Sequence, residues 1–292
     1  MKQKQWAGKT DGNKWMQESL VVLFRICNIR IFYWIMAVVI LFYMVFNHKG
    51  YISIYRFFRF RLGYSPVRSF LHVYQNHYVF GQTILDKFAM YAGKQFQIVI
   101  EGQETLNSML SGDSAFLMLS AHVGNYEIAG YSLRSFKKKI YAVVYAGETE
   151  TIMKNRNLKF QPHNIHMISV NSDMSHLFMI NDALSNGNVV SISADRAFGS
   201  SKVLACKFMG KDAKFPLGPF ALAIHRNVPV LSVFVMKESV KQYRIYIHKI
   251  DVPNTDVPSA KKELLCNAFV NDLEKIVCKY PNQWFNYYDF WE

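Results

Sequence analysis

A histidine and a carboxylate five residues apart, His122 and Glu127, are the residues of this chain best suited to acid-base chemistry. If Glu127 accepts a hydrogen bond from one imidazole nitrogen, the other nitrogen is left to take a proton from a hydroxyl group. The pair would then be a general base and the carboxylate that orients it. The spacing alone is equally compatible with a structural histidine beside a solvated glutamate.

The residues around this pair predict how it is positioned. Residues 115–119 form a short apolar run that is typical of a buried parallel strand, and a helix-like pattern begins at Tyr126. Side chains five residues apart on one helix point about 140° apart. His122 must therefore lie outside the helix if Glu127 is to reach it, and Gly124 and Asn125 supply the turn.

Several motifs together resemble a known family. HVGNYE at 122–127 is similar to the H-x4-D/E motif of the lysophospholipid acyltransferase superfamily, and to its HxGNxE form in the lipid A late-acyltransferase branch. The later motifs follow in the same order: residues 194–196 (ADR), 207–210 (KFMG), 215–223 (FPLGPFALA) and 228–230 (VPV). Residues 280–291 resemble the ending of a bacterial subgroup associated with pigment-like or amino-acid lipids.

The resemblance implies a membrane-associated acyltransferase. A fatty acyl group would pass from a thioester of acyl carrier protein or coenzyme A to a hydroxyl or amine of a lipid or glycolipid acceptor. His122 would deprotonate the acceptor and Glu127 would stabilise the imidazolium, with no acyl-enzyme, no metal and no cofactor beyond the thioester. The sequence has no GxSxG motif and no cysteine beside His122.

Further site residues are expected around the pair. The backbone amides of Gly124 and Asn125, at a helix start, would stabilise the oxyanion or bind an anionic head group. Arg196 would hold a phosphate or carboxylate of either substrate, and Asp195 would support it. The loop at Phe215, Pro216 and Gly218 is interpreted either as packing or as a wall of the acyl channel.

Composition restricts the partners. The 292 residues include 34 Lys and Arg against 21 Asp and Glu, a formal net charge of +13. Such a charge favours nucleic acid, an anionic membrane surface or an acidic carrier protein. No nucleic-acid motif is present and aromatic residues make up 15%, so we expect a membrane surface and no nucleic acid.

The N-terminal region predicts the location of the protein. Residues 31–46 are an unbroken apolar run, slightly short of the roughly 20 residues that span a bilayer. Basic residues flank both ends, so the positive-inside rule selects no orientation. Either a spanning or a half-inserted anchoring helix is allowed, and a buried core helix is the alternative. Residues 55–61 (YRFFRFR) are typical of an interfacial segment. We expect the bacterial inner membrane, with the catalytic domain facing the cytoplasm.

The pattern of elements predicts an α/β fold with a mostly parallel central sheet flanked by helices. Strands are expected at 96–100, 116–120, 140–145, 188–193, 231–235 and 243–247, and helices at 126–136, 174–185, 217–226 and 259–279. Residues 1–95 would form a helical anchoring region and residues 96–292 the acyltransferase domain. In such sheets ligands bind at the carboxyl ends of the strands, where His122, Asp195 and Arg196 each follow a strand.

Two other functions remain open. An inactive relative would be a membrane lipid-binding or assembly protein, and the H-x4-E pair would also suit a metal-dependent hydrolase. Against a zinc site, the pair has no third ligand nearby in sequence. The four cysteines lack CxxC spacing and are interpreted as free thiols in a reducing compartment.

Overall fold

The computed structural model describes residues 14–46, 48–133, 137–145, 156, 160–170, 173–197, 202–251 and 257–291. Its N-terminal part is helical. The helices are α1 (Lys14–Ile26), α2 (Ile29–Phe46), α3 (His48–Arg56) and α4 (Pro66–Tyr91), with a π-helical turn at Phe57–Arg61 before α4. Ser65 caps α4 by accepting a hydrogen bond from the amide of Arg68, and Pro66 occupies the first turn, where its missing N–H is not needed.

A seven-stranded sheet follows, in the spatial order β1-β9-β8-β2-β5-β3-β4. Neighbouring strands pair in parallel except β8 and β9. The strands are β1 (Gln97–Glu101), β2 (Phe116–Ser120), β3 (Ile140–Tyr145), β4 (Ile165–Val170), β5 (Val189–Ser193), β8 (Val230–Lys237) and β9 (Gln242–Ile250). The predicted mostly parallel α/β fold is confirmed.

Helices cover both faces of the sheet. They are α5 (Gln103–Ser111), α6 (Tyr126–Ser132), α7 (Ser175–Ser185), α8 (Leu217–Arg226) and α9 (Pro258–Lys279). Side chains alternate between the two faces of a strand, so β2 serves two cores. Leu117 and Leu119 pack into one core, and Phe116 and Met118 into the other. This two-sided burial explains why the strand is a continuous apolar run.

Some elements differ from the prediction. Helix α6 ends at Ser132 because Leu133 is extended, and residues 134–136 of the predicted helix lie outside the described residues. Strand β4 was not predicted, and neither was an antiparallel hairpin of β6 (Val203–Phe208) and β7 (Lys211–Pro216). Met209 and Gly210 make its tight turn with positive φ angles of 52° and 77°.

Helix α2 packs along α4 with one side only. Tyr33 and Ile40 are buried, and the hydroxyl of Tyr74 donates to the carbonyl of Ala37. Only 11% of the helix is buried, whereas the core helix of a soluble protein is mostly buried. Large apolar side chains stay exposed at one-turn spacing along the other side: Ile31, Trp34, Ile35, Val38, Leu41, Phe42, Val45 and Phe46.

A buried polar cluster fastens α2 to the sheet. Asp86 of α4 accepts hydrogen bonds from the hydroxyls of Tyr33 and Tyr243 and from Lys237, the last residue of β8. The Lys237 ammonium also contacts the Tyr33 hydroxyl at 2.9 Å. Helix α2 is therefore held by specific polar contacts as well as by apolar packing. The domain boundary at residue 95 stays a prediction.

Candidate active site

His122 and Asp195 meet at the carboxyl edge of the sheet. Strands β2 and β5 pair in parallel with Ser120 opposite Ser193, so each residue lies two positions beyond a strand end. The distance from His122 Nδ1 to Asp195 Oδ1 is 2.8 Å, and the amide of His122 donates to Asp195 Oδ2 at 2.9 Å. Both carboxylate oxygens of Asp195 therefore hold His122 in place.

The charges around the pair determine which atoms of His122 and Asp195 carry protons. Asp195 is 1% exposed. Burial alone would raise its pKa, but the interactions with His122 and with the Arg196 guanidinium outweigh burial and lower the pKa below its usual value. The carboxylate stays ionised, so Nδ1 of His122 donates to it and Nε2 presents a lone pair. The imidazole is 31% exposed and can meet a substrate.

The turn after His122 is fixed by three segments: the C-terminal tail (residues 284–291), the 3-10 turn before it (Pro281–Gln283) and β8. The amide of Phe285 donates to the carbonyl of His122 at 3.1 Å. Gly124 has a φ of +56°, and a Cβ atom there would lie 1.9 Å from the carbonyl oxygen of Val235. Only glycine fits this position.

The predicted oxyanion role of this turn is wrong. The amide of Gly124 donates to the carbonyl of Gln283 and the amide of Asn125 to the carbonyl of Val235, both at 2.8 Å. The Asn125 side chain donates to the carbonyl of Thr83. Since these donors are already used inside the protein, Gly124 and Asn125 position the turn instead of binding an anion.

Glu127 does not reach His122, so the predicted pairing of these two residues is wrong. Its carboxylate accepts from Arg156 at 2.6 Å, from Lys87 at 2.9 Å and from the hydroxyl of Tyr91 at 3.1 Å. Burial would raise the pKa of Glu127, but the two cations lower it to about 2. At neutral pH the carboxylate is therefore ionised, and it anchors the start of α6.

A family model of bacterial lipid A biosynthesis acyltransferases matches residues 80–291. The chain belongs to this family. The matched region includes His122 and Asp195 as well as the strands that carry them, and this membership makes the chain an acyltransferase.

Among solved structures, the 1-acyl-sn-glycerophosphate (LPA) acyltransferase PlsC from Thermotoga maritima is similar to this chain at 14% sequence identity and a TM-score of 0.41. The similarity covers 86% of this chain and 97% of that one. No curated protein sequence matches the chain.

Arg196 of the acyltransferase lies beside the pair. One guanidinium nitrogen, Nη2, donates to the carbonyl of Phe285 at 2.9 Å, and the guanidinium lies 5.8 Å from the ring centre of Tyr288. Its Nε is buried without a partner. The backbone of Phe285 therefore links Arg196 to His122, a connection that sequence reasoning missed.

The loop at the start of α8 mainly contributes to core packing. Phe215 is fully buried against Phe208 and Phe290, while a Cβ atom at Gly218 would meet open space. Pro216 precedes the helix in an extended conformation. Of the two interpretations of this loop, the structure supports packing for Phe215.

Three partners of Glu127 were not identified from the sequence. Lys87 and Tyr91 come from α4 and Arg156 lies 29 residues after Glu127. No spacing signal connects them to the motif, because α4 reaches the site only through tertiary packing. In the part of the chain that the structure describes, no three His, Cys, Asp or Glu residues group as metal ligands.

Proposed function

We propose that this acyltransferase moves a fatty acyl group from an acyl thioester to a hydroxyl or amine of a membrane lipid, with His122 as the general base. The observation that carries the proposal is the 2.8 Å contact between Asp195 and Nδ1 of an accessible imidazole. That contact fixes the tautomer in which Nε2 accepts a proton.

The reaction is a direct displacement. His122 Nε2 takes the proton of the acceptor hydroxyl or amine, and the acceptor atom attacks the thioester carbonyl carbon. The carbon–sulfur bond then breaks, and the leaving thiolate takes the proton from the imidazolium. Asp195 stabilises the imidazolium formed between these steps. Neither a metal nor a covalent enzyme intermediate takes part.

Glu127 has a positioning role in the proposed mechanism. It binds Lys87, Tyr91 and Arg156 and so holds the first turn of α6 against α4. The residues between it and His122 are tied to the tail and to β8. Glu127 is therefore a positioning residue, and it is not the carboxylate that pairs with His122.

The donor is a thioester of acyl carrier protein or of coenzyme A. Both carriers are acidic, and the net charge of +13 favours either of them. Exposed lysines of the β6–β7 hairpin, including Lys207 and Lys211, add to this attraction. Arg196 lies close enough to Asp195 to lower its pKa and would bind an oxygen of one substrate.

The exposed side of α2 is the surface of the protein that binds the membrane in this proposal. Because the opposite side lies along α4 and Tyr33 is bound to Asp86, α2 lies partly inserted at the interface, with one side in lipid. Helix α4 also has exposed apolar side chains, at Val67, Phe70 and Leu71. We place the protein at the bacterial inner membrane facing the cytoplasm, where thioester donors are made.

The proposal is tested by incubating the purified protein with a radiolabelled palmitoyl thioester and a total lipid extract from a strain that lacks its gene. The carrier protein and coenzyme A thioesters are supplied separately. A labelled lipid that forms only with the protein is expected from at least one donor. Release of free fatty acid without any labelled lipid would identify a hydrolase and refute acyl transfer.

A further inference from the structure

Buried polar atoms without partners cluster between α4 and the C-terminal tail. In the described part of the chain, eight buried side-chain nitrogen or oxygen atoms lack a hydrogen-bond partner. Six of them belong to α4, to the tail or to Arg196, and we term this region the α4–tail seam: Asn76 Oδ1, His77 Nε2, Arg196 Nε, Trp284 Nε1, Asn286 Oδ1 and the Tyr287 hydroxyl. Because buried polar atoms are normally paired, such a cluster points to a polar partner that the protein does not supply.

The seam extends from Tyr43, a half-exposed residue of α2 that packs against α4, to the backbone of Phe285 beside the catalytic pair. At one end the His77 ring lies 6.0 Å from the ring of Tyr43, which is 49% exposed on α2, and 5.0 Å from the ring of Tyr287. At the other end Arg196 binds the carbonyl of Phe285, whose amide binds the carbonyl of His122. The seam therefore lies between α2, the proposed membrane-binding helix, and the backbone contacts that hold His122.

The charge environment of Tyr287 supports this placement. Burial raises the pKa of Tyr287 well above its ordinary value, Tyr43 raises it further and Arg196 opposes the shift. Tyr287 therefore lies within electrostatic range of both ends of the seam, and it keeps its proton as a neutral hydrogen-bond donor.

The tautomer of His77 defines which group can bind there. Nδ1 contacts the carbonyl of Val73 at 2.8 Å, and a carbonyl can only accept, so Nδ1 carries the proton. Burial lowers the pKa of His77, although the hydrogen bond to Val73 opposes this shift. The imidazole is therefore neutral, and Nε2 offers a lone pair to a hydrogen-bond donor.

We propose that the α4–tail seam binds the polar head group of the lipid acceptor. A hydroxyl or amide N–H of the head group donates to His77 Nε2, and a head-group oxygen accepts from the Tyr287 hydroxyl and from Arg196 Nε. A head group whose only polar element is a dianionic phosphate does not fit, because its lone pairs would face that of His77. This inference rests on the proposed acyl transfer.

The test measures transfer from labelled palmitoyl thioester at increasing concentrations of the lipid extract. Tyr287→Phe removes only the unpaired hydroxyl. We expect the half-saturating extract concentration to rise roughly 3- to 10-fold, as for the loss of one hydrogen bond, with an unchanged half-saturating donor concentration. The melting temperature should stay the same or rise, because a buried unpaired group is removed. Tyr246→Phe, whose hydroxyl contacts Tyr280 and Lys279, is the matched control without effect.

Three results would overturn the inference. The first is an unchanged half-saturating extract concentration in Tyr287→Phe. The second is a parallel rise in the half-saturating concentrations of donor and extract, together with a lower melting temperature. The third is a labelled product whose head group, by mass spectrometry, has no hydroxyl or N–H. If the wild-type protein forms no labelled lipid at all, the proposed function fails instead. The two failures are thus distinguished.

Discussion

At the residue scale, Asp195 rather than Glu127 determines what His122 can do. Asp195→Asn would replace the ionised acceptor with an amide that can donate to Nδ1, which favours the tautomer with a proton on Nε2. We expect the turnover rate to fall about 10²- to 10⁴-fold, as for loss of general-base catalysis. Transfer from labelled thioester to the lipid extract measures the effect.

The chain contains a matched control for this substitution. Asp272 accepts from His248 Nδ1 at 2.7 Å, and His248 lies on β9, which does not pair with β2, the strand that precedes His122. Asp272→Asn changes the same type of contact and should leave turnover nearly unchanged. Equal losses in the two variants would mean that the effect of Asp195→Asn is structural.

Glu127 should reveal its role through the pH dependence of stability. Its pKa is about 2 in the folded protein and 4.5 in the reference state. A lowered folded pKa stabilises the protein above pH 4.5, and this contribution, about 3 kcal/mol, is lost as the pH falls toward 2. The unfolding free energies of the wild type and Glu127→Gln should therefore converge below pH 4.5. Chemical denaturation in detergent checks this, and a constant difference from pH 7 to pH 3 would refute it.

The sequence predicted the site only in part, and the reason is physical. His122, Asp195 and Arg196 were placed at the carboxyl edge because each follows an apolar strand. Their contact depends on the pairing of β2 with β5 across 73 residues. Glu127 was nearer in sequence but faces α4, and a single sequence does not show which partner a helix start faces.

At the element scale, the buried cluster around Asp86 joins α2, α4 and the end of β8. Burial raises the pKa of Asp86 and lowers that of Lys237, and their mutual attraction opposes both shifts. Removing one partner leaves the other buried without compensation. Lys237→Met should therefore lower the unfolding free energy by about 3–5 kcal/mol.

An exposed ion pair provides the comparison for this prediction. Lys137 contacts Asp113 at 2.7 Å on the surface, where solvent screens the two charges and such pairs contribute little to stability. Lys137→Met should thus have a small effect in the same denaturation experiment. If the two lysine variants lose equal stability, the Asp86 cluster does not hold α2.

Element prediction succeeded where apolar patterns are long or clearly bounded. Helix α8 was predicted at its observed bounds, and α7 and α9 each differ by one residue. Strand β4 was missed because polar His166 and Ser169 interrupt its apolar pattern. The β6–β7 hairpin was missed because Lys207, Lys211 and Lys214 interrupt its apolar residues and only Gly210 marks its turn.

At the scale of the whole molecule, the exposed apolar side of α2 should keep the protein on membranes. Washing with molar salt or carbonate removes proteins held by charge alone, so we expect the full-length chain to stay in the pellet. Replacing Trp34, Phe42 and Phe46 with serine should release it, since these side chains are among the most exposed on α2. Fractionation followed by immunoblotting checks both results, and release of the unmodified chain would contradict lipid insertion.

The most direct test of acyl transfer by general-base catalysis is the turnover of purified His122→Ala, with folding verified by circular dichroism. Labelled palmitoyl thioester and the lipid extract are held at saturating concentrations for the wild type and the variant. We expect the rate of labelled lipid formation to fall about 10²- to 10⁴-fold while the protein remains folded and membrane-bound. Near-normal turnover by the folded variant would contradict the assignment of His122 as the base.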